Sequence, residues 1–191
     1  MNPNPTTVID RIDAALDMTG AVVGGITDAD LHRPSLCPGW DLRTELNHLV
    51  GGLRIFAAEL TGIDAGRDHH DDWLEADHRA AFATAADLDR AAWHRPGALD
   101  TTIRLGFGPV PAPMAALIHL TEILVHGTDI AVVTGRQHLI DEDLCQQLLT
   151  TMRSMDFSAF RRPGMFADEQ PAPENASNHQ RLLAFLGRHL D

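Results

Sequence analysis

Apolar residues recur along this chain at two different periods, and the changes between them mark out its elements. From Thr6 to about Gly25, Ile9, Ile12, Leu16 and Val23 follow helical spacing, and Gly24-Gly25 supplies a stop. From Leu42 to Thr61, residues Leu42, Leu46, Leu49, Leu53, Phe56 and Leu60 alternate steps of four and three. That is the seam of a bundle helix packed at about 20° to its neighbours. The loop before it, HRPSLCPGW (32–40), holds two prolines and a glycine and delivers Asp41 as an N-cap. An alanine-rich periodic stretch predicts a third helix from Asp71 to Trp93, and Pro111 and Pro113 open a fourth that runs to about Thr134. Between them, DTTIRLGFG (100–108) switches to alternation at Thr101, Ile103, Leu105 and Phe107, which predicts a strand or short hairpin. A fifth helix is expected over Asp141 to Met155, a proline-rich loop over 161–177, and a closing amphipathic helix over Asn178 to Leu190. The expected class is all-α, a single domain over residues 1–191 in which helices two and four face each other.

The fourth helix breaks its own pattern. It carries Leu, Ile, Val or Ala on nearly every side, as an interior helix does, yet HLTEILVHGTD (119–129) adds two histidines, a glutamate and an aspartate. At about 100° per residue, His119, Glu122, His126 and Asp129 fall within an arc of roughly 60–80°. An ionised carboxylate buried without partners costs several kcal/mol, so this stripe requires hydrogen bonds, ion pairs or a cation. Glu122 and His126 lie one turn apart, so a carboxylate oxygen and an imidazole nitrogen can reach the same divalent ion. A buried polar network without metal satisfies the same pattern. A catalytic zinc site takes three protein ligands, and the candidates for the third are His32, His48, His69, His70, His78, His94 and His119.

Charge narrows the function classes. Across 191 residues, 15 Lys and Arg stand against 27 Asp and Glu, a formal net charge of −12. No basic stripe offers itself to phosphates, so nucleic acid is not an expected partner. The opening MNPNPTTVID lacks a secretory pattern, and no uninterrupted apolar run approaches the roughly 20 residues of a membrane span. A soluble cytoplasmic protein without membrane partners is the expectation. Cys37 and Cys145 form neither a C-x-x-C pair nor a disulfide framework, which suits a reducing compartment.

Two stretches together, CPGWDLRTELNHLVGG (37–52) and HLTEILVHGTDIAVVTGR (119–136), resemble the actinobacterial metal-binding branch of the DinB-like superfamily. That branch contains the mycothiol-dependent maleylpyruvate isomerases and mycothiol S-transferases. The resemblance implies a DinB-like four-helix bundle with a short β insert and a C-terminal extension. It also implies a divalent metal, zinc or alternatively nickel, held by His48, Glu122 and His126. Mycothiol would be the thiol co-substrate, with a small electrophile as the second substrate and a homodimer as one allowed assembly. His119 is then the pocket residue cast as a catalytic proton shuttle, and Asp129 is cast as accepting the other N–H of a ligand imidazole. Periodicity does not single out His48, which lies about 120° from the centre of the Leu46/Leu49/Leu53 seam. Thr128 departs from the tryptophan of the branch's H-G-W-D run, so substrate identity does not carry over.

The competing reading is a non-catalytic, stress-related metal-binding protein of the same fold. An open cavity of about 300 Å³ or more beside the metal would favour the enzyme. Cys37 reads as a small loop residue in the C-P-G-W turn, Trp40 as a core residue, and DHHDDW (68–73) as a solvated helix start.

Overall fold

A computed structural model of the chain describes residues 7–162 and 165–190. Its long helices are α1 (Val8–Gly25), α2 (Leu42–Thr61), α3 (His78–Trp93) and α4 (Ala112–Val133). A hairpin of β1 (Thr102–Leu105) and β2 (Gly108–Pro111) precedes α4, and α5 (Glu142–Arg153) and α6 (Asn178–Phe185) follow it. Packing closes a ring in which α1 lies on α4, α4 on α2, α2 on α3 and α3 on α1. The C-terminal pair α5–α6 packs together and touches α1 and α4 from outside that ring. The result is the all-α bundle with a short β insert that the hydrophobic periods predict.

Local chemistry sets most helix starts. Thr7 and Asp10 form a capping box on α1, and Asp41 caps α2 by accepting from the Thr44 amide at 2.8 Å. Helix α3 starts later than expected, at His78 rather than Asp71. Over 71–77 short polar side chains capture the backbone instead. Asp71 accepts from the Asp68 amide, Asp72 from those of Leu74 and Glu75, and the Trp73 amide donates to Asn47. Such bonds compete with helix formation. They also tuck Trp73 under the turn, 8% exposed, so DHHDDW is a folded loop and not a solvated helix start.

Helix α4 is the centre of the molecule: every residue from His119 to Ala131 is buried except Glu122. It is long and apolar enough to cross a membrane by composition, but its surface is covered by the other helices. Helix α1 comes closest at Gly127, where an added Cβ would lie 2.2 Å from Thr19 Oγ1. The Thr19 hydroxyl uses that proximity to donate to the Ile123 carbonyl at 3.2 Å.

The hairpin pairs Thr102 with Pro111 and Leu105 with Gly108, leaving Gly106 and Phe107 at its tip. Ile103 points into the core, and both prolines of β2 lie on a strand with one free edge, where a missing N–H is harmless. Helix α6 ends at Phe185, short of the expected Leu190. Gly187 adopts a φ of 87°, its amide bonds the Ala184 carbonyl, and the Arg188 amide bonds that of Leu183. This is a Schellman stop, and it turns Arg188 back toward α4.

Candidate metal centre

The loop between α1 and α2 forms one side of the site. Cys37-Pro38-Gly39-Trp40 is a type II turn: the Trp40 amide donates to the Cys37 carbonyl at 3.1 Å, and Gly39 supplies the required φ of 82°. The turn lays the Trp40 ring against two imidazoles, 5.1 Å from His48 and 6.1 Å from His126, centroid to centroid. Trp40 is therefore a wall of the site and not a core residue, and it is only partly buried.

His48 leaves α2 toward α4 and meets Glu122 and His126 there. Its Nε2 lies 3.0 Å from Glu122 Oε2, and His126 Nε2 lies 3.3 Å from the same oxygen. The three donor atoms all fall within 4.8 Å of one another. His48 and Glu122 keep 27% and 36% of their side chains exposed, so one flank opens outward, whereas His126 is 10% exposed. Two borderline nitrogens, a carboxylate oxygen and an open flank are the donor set of a catalytic divalent metal, and these three residues could hold one.

The second nitrogen of His126 is fixed from inside. Nδ1 donates to Glu45 Oε1 at 2.9 Å, and Glu45, fully buried, also accepts from the Ser35 hydroxyl at 2.7 Å. This is the carboxylate–histidine arrangement that orients metal-ligating imidazoles, but its carboxylate comes from α2 and not from Asp129. The readable signal for Glu45 is its place three residues before His48, on the same flank of α2. Burial opposes ionisation of Glu122, but hydrogen bonds and charge from His126 and His48 outweigh it and hold the carboxyl well below its usual range. Burial likewise disfavours protonated His126, yet its bonds to Cys37, Glu122 and Glu45 raise it well above an ordinary histidine.

Asp129 answers a different partner. Its Oδ2 accepts from Arg188 Nε at 3.0 Å and Nη2 at 2.8 Å, and the same Nη2 lies 3.1 Å from Cys37 Sγ. Cys37 is thus more than a loop residue, since its sulfur touches Arg188 and stands 3.9 Å from His126 Nδ1. His119 points toward α3, where its Nε2 bonds Asp89 Oδ2 at 2.8 Å between the rings of Phe56 and Trp93. It is 1% exposed and lines the same cavity as His48 and Glu122. One helical stripe therefore serves three neighbours: α3, α2 and the C-terminal tail.

Of the other histidines, His69 alone joins the site. Its ring meets that of His48 edge-on at 4.7 Å, and its Nε2 donates to the His48 carbonyl at 3.2 Å. Burial, and then the charge of His48, lower its pKa. His78 pairs with Asp28 and His94 with Asp13, His32 ends a short exposed turn, and His70 is exposed next to His69.

Residues 12–131, which contain every member of the ligand set together with Glu45 and Cys37, match the family model described as the mycothiol maleylpyruvate isomerase N-terminal domain. The chain belongs to that family. An uncharacterized protein of Mycobacterium tuberculosis, Rv0738 in strain H37Rv and MT0763 in strain CDC 1551, is 32% identical over 178 residues. That alignment covers 91% of this chain and 93% of the relative, so it extends past the family's matched region. A crystal structure of the mycothiol-dependent maleylpyruvate isomerase aligns with a TM-score of 0.49 at 15% identity. That alignment covers 65% of this chain and 60% of the other.

Proposed function

We propose that this protein is a divalent-metal enzyme, a mycothiol-dependent thiol transferase or isomerase acting on a small electrophile in the cytoplasm. The observation that carries the reading is the convergence of His48 Nε2, Glu122 Oε2 and His126 Nε2 beside a cavity that His48 and Glu122 line, with the last imidazole held by buried Glu45. Family membership brings in mycothiol as the thiol. Zinc is the expected metal for an open site of two imidazoles and a carboxylate, and nickel is the alternative because such donors also bind it well in the Irving–Williams order.

Bound there, the metal would supply a Lewis acid at which a thiol sulfur is deprotonated near neutral pH. The chain's own residues do the rest. His48 and His126 would each turn Nε2 to the metal, Glu122 would supply the compensating negative charge, and Glu45 accepts from Nδ1 of His126 so that Nε2 faces the site. Trp40 and the buried side of α4 exclude water from the inner flank. The cavity is about 170 Å³, short of the roughly 300 Å³ that would favour the enzyme by size, so the enzyme reading rests on the ligand set and not on the cavity, which takes only a small electrophile and leaves most of a bulky thiol outside.

Elemental analysis coupled to a mycothiol-conjugation assay tests this. The expected result is about one divalent metal per chain. Metal and activity are expected to fall together in Glu122→Ala and His126→Ala. Full metal retention in His48→Ala with loss in His119→Ala would overturn the ligand assignment. A full metal complement without activity toward any electrophile would favour the non-catalytic reading.

A further inference from the structure

One buried nitrogen in the wall of the cavity goes unused. His119 lines that cavity together with His48 and Glu122, among apolar side chains that include Leu53, Phe56, Leu105 and Ile118. Its ring is held firmly. Nε2 lies 2.8 Å from Asp89 Oδ2 of α3, and the rings of Phe56 and Trp93 flank it with centroids 4.0 and 5.7 Å away. Among the described residues Nδ1 has no hydrogen-bond partner, although the side chain is 1% exposed. Leaving a buried polar atom unpaired is costly, and a cavity beside it is the place from which a ligand can supply the partner.

Charge balance decides what Nδ1 offers. Asp89 is fully buried, its Oδ1 has no partner among the described residues, and burial raises its pKa. The other charge acting on it, Asp13 of α1, is negative and is already paired with Arg90 and His94. Arg90, next in sequence to Asp89, turns to Asp13 and Asp17 instead. A lone negative charge is expensive in such a place, so the Asp89–His119 pair is most stable as a neutral unit. With one proton in the shared hydrogen bond, on either the carboxylate or Nε2, neutrality puts the second proton on Nδ1. The unused nitrogen is then an N–H donor.

We infer that His119, positioned by Asp89, is a substrate-binding residue whose Nδ1–H donates to a carbonyl oxygen of the small molecule that fills this cavity. The inference rests on the thiol-transfer reading for its chemistry, while the contact itself needs only the cavity. When a thiol sulfur adds to an enone, the sulfur–carbon bond forms at the β carbon as the carbon–carbon π bond breaks. The electron pair passes through the conjugated system to the carbonyl oxygen. A donor already fixed at that oxygen, in an apolar chamber, stabilises the enolate without reorganising. The α carbon then takes from water a proton equivalent to the one the thiol released, so S–H has added across the double bond with no redox partner.

Cyclohexanone and methylenecyclohexane test the contact, since these unreactive rings share one shape and only the ketone carries an acceptor oxygen. Zinc-loaded protein is titrated with each while its imidazole nitrogens are followed by proton–nitrogen NMR. His119 Nδ1 is expected to carry a proton near neutral pH, and to shift with the ketone but not with the olefin. A lone pair on Nδ1, or a resonance that the ketone leaves in place, would overturn the inference. The double variant Asp89→Leu/His119→Phe removes the donor together with its counter-charge, so no buried charge is left behind. It is expected to weaken ketone binding about tenfold and to leave the olefin unchanged. Ketone affinity equal to that of wild type would equally overturn it. The contact is expected to persist after chelation of the zinc. Persistence of the contact with no mycothiol conjugation to cyclohexenone in the zinc-loaded protein would uphold the role of His119 while removing the thiol-transfer reading.

Discussion

Replacing Arg188 with methionine isolates the energetics beneath the site. Asp129 is fully buried, and Arg188, 9% exposed, gives its Oδ2 two hydrogen bonds at 2.8 and 3.0 Å. Among the described residues Oδ1 has no partner, so after Arg188→Met the Cys37 sulfur at 3.8 Å is the remaining contact of that carboxylate. Removing one member of a buried ion pair costs about 3–5 kcal/mol because the other charge is left without compensation. For a domain of this size each kcal/mol shifts Tm by about 2–4 °C, so a loss on the order of 10 °C is expected. The double variant Arg188→Met/Asp129→Asn is expected to recover most of it, since no buried charge then remains. Burial pushes the Asp129 carboxyl from 3.8 up to about 7, with Arg188 offsetting part of the rise and Glu45 adding to it. A folded-state pKa above the unfolded value gives stability that is complete below the unfolded pKa and is lost as pH rises through the folded one. Without Arg188 the folded pKa climbs further, so the variant's deficit is expected to be larger at about pH 8.5 than at about pH 5. Urea unfolding of wild type, single and double variants at both pH values is the assay. A single-variant cost below about 1 kcal/mol, or a double variant no more stable than the single, would refute the reasoning.

Four other outcomes are expected. Glu45→Gln should keep the helical circular dichroism spectrum but weaken zinc binding about 10–100-fold in competition with a chromophoric chelator, because an uncharged amide replaces the carboxylate that orients His126 and raises its basicity as a ligand. Gly127→Ala, whose Cβ would meet Thr19 Oγ1 at 2.2 Å and Met18 Cε at 2.9 Å, should lower stability in urea. The cost should be about 1–3 kcal/mol, whereas Gly24→Ala, with nothing near its added carbon, should not destabilise. Burial pushes the Cys145 thiol from 9.0 up to about 12, so wild type should lose stability as pH rises above 9.0, and Cys145→Ala should lack that alkaline component in pH-dependent unfolding. Cys37→Ser should retain most mycothiol conjugation while chelation removes it and zinc restores it. Activity that survives chelation but vanishes in Cys37→Ser would make the protein's own sulfur the nucleophile.

The long elements were legible because their signals are local. The seam from Leu42 to Leu60 lies under one helix face, and Asp41 caps it from the next residue, so no distant information is needed. The start of α3 was not legible, since the periodicity of 71–93 continues through a segment where Asp71, Asp72 and Asn47 hold the backbone in turns. Asn47 belongs to another helix, and nothing near Trp73 announces it. The end of α6 was readable in principle, because Gly187 interrupts an amphipathic pattern and an αL glycine is a common stop.

The site divides along the same line. A stripe of ionisable residues on an apolar helix says that charge is buried, but not which neighbour answers each one. Glu122 and His126 could be paired from sequence because one turn of helix separates them. His48 stood off the seam for a geometric reason: the seam points to the bundle axis, whereas a centre shared by α2 and α4 lies to one side of it. A ligand from α2 must therefore leave the helix on its flank, where periodicity alone reads a solvated residue. Glu45 shares that flank, three residues earlier, and is fully buried, so an acidic residue there is informative once His48 is taken as a ligand. Arg188 had no such clue. Its place beside Asp129, 59 residues away in sequence, depends on a glycine turn that reverses the chain after α6, and an added Cβ on Gly187 would meet Ala167 Cβ at 2.6 Å. The charge that neutralises the floor of the site therefore lies outside the family's matched region, in the C-terminal extension. A chain cut after α4 would keep every proposed ligand and still expose a buried aspartate without its cation, which makes the extension part of the site's electrostatics.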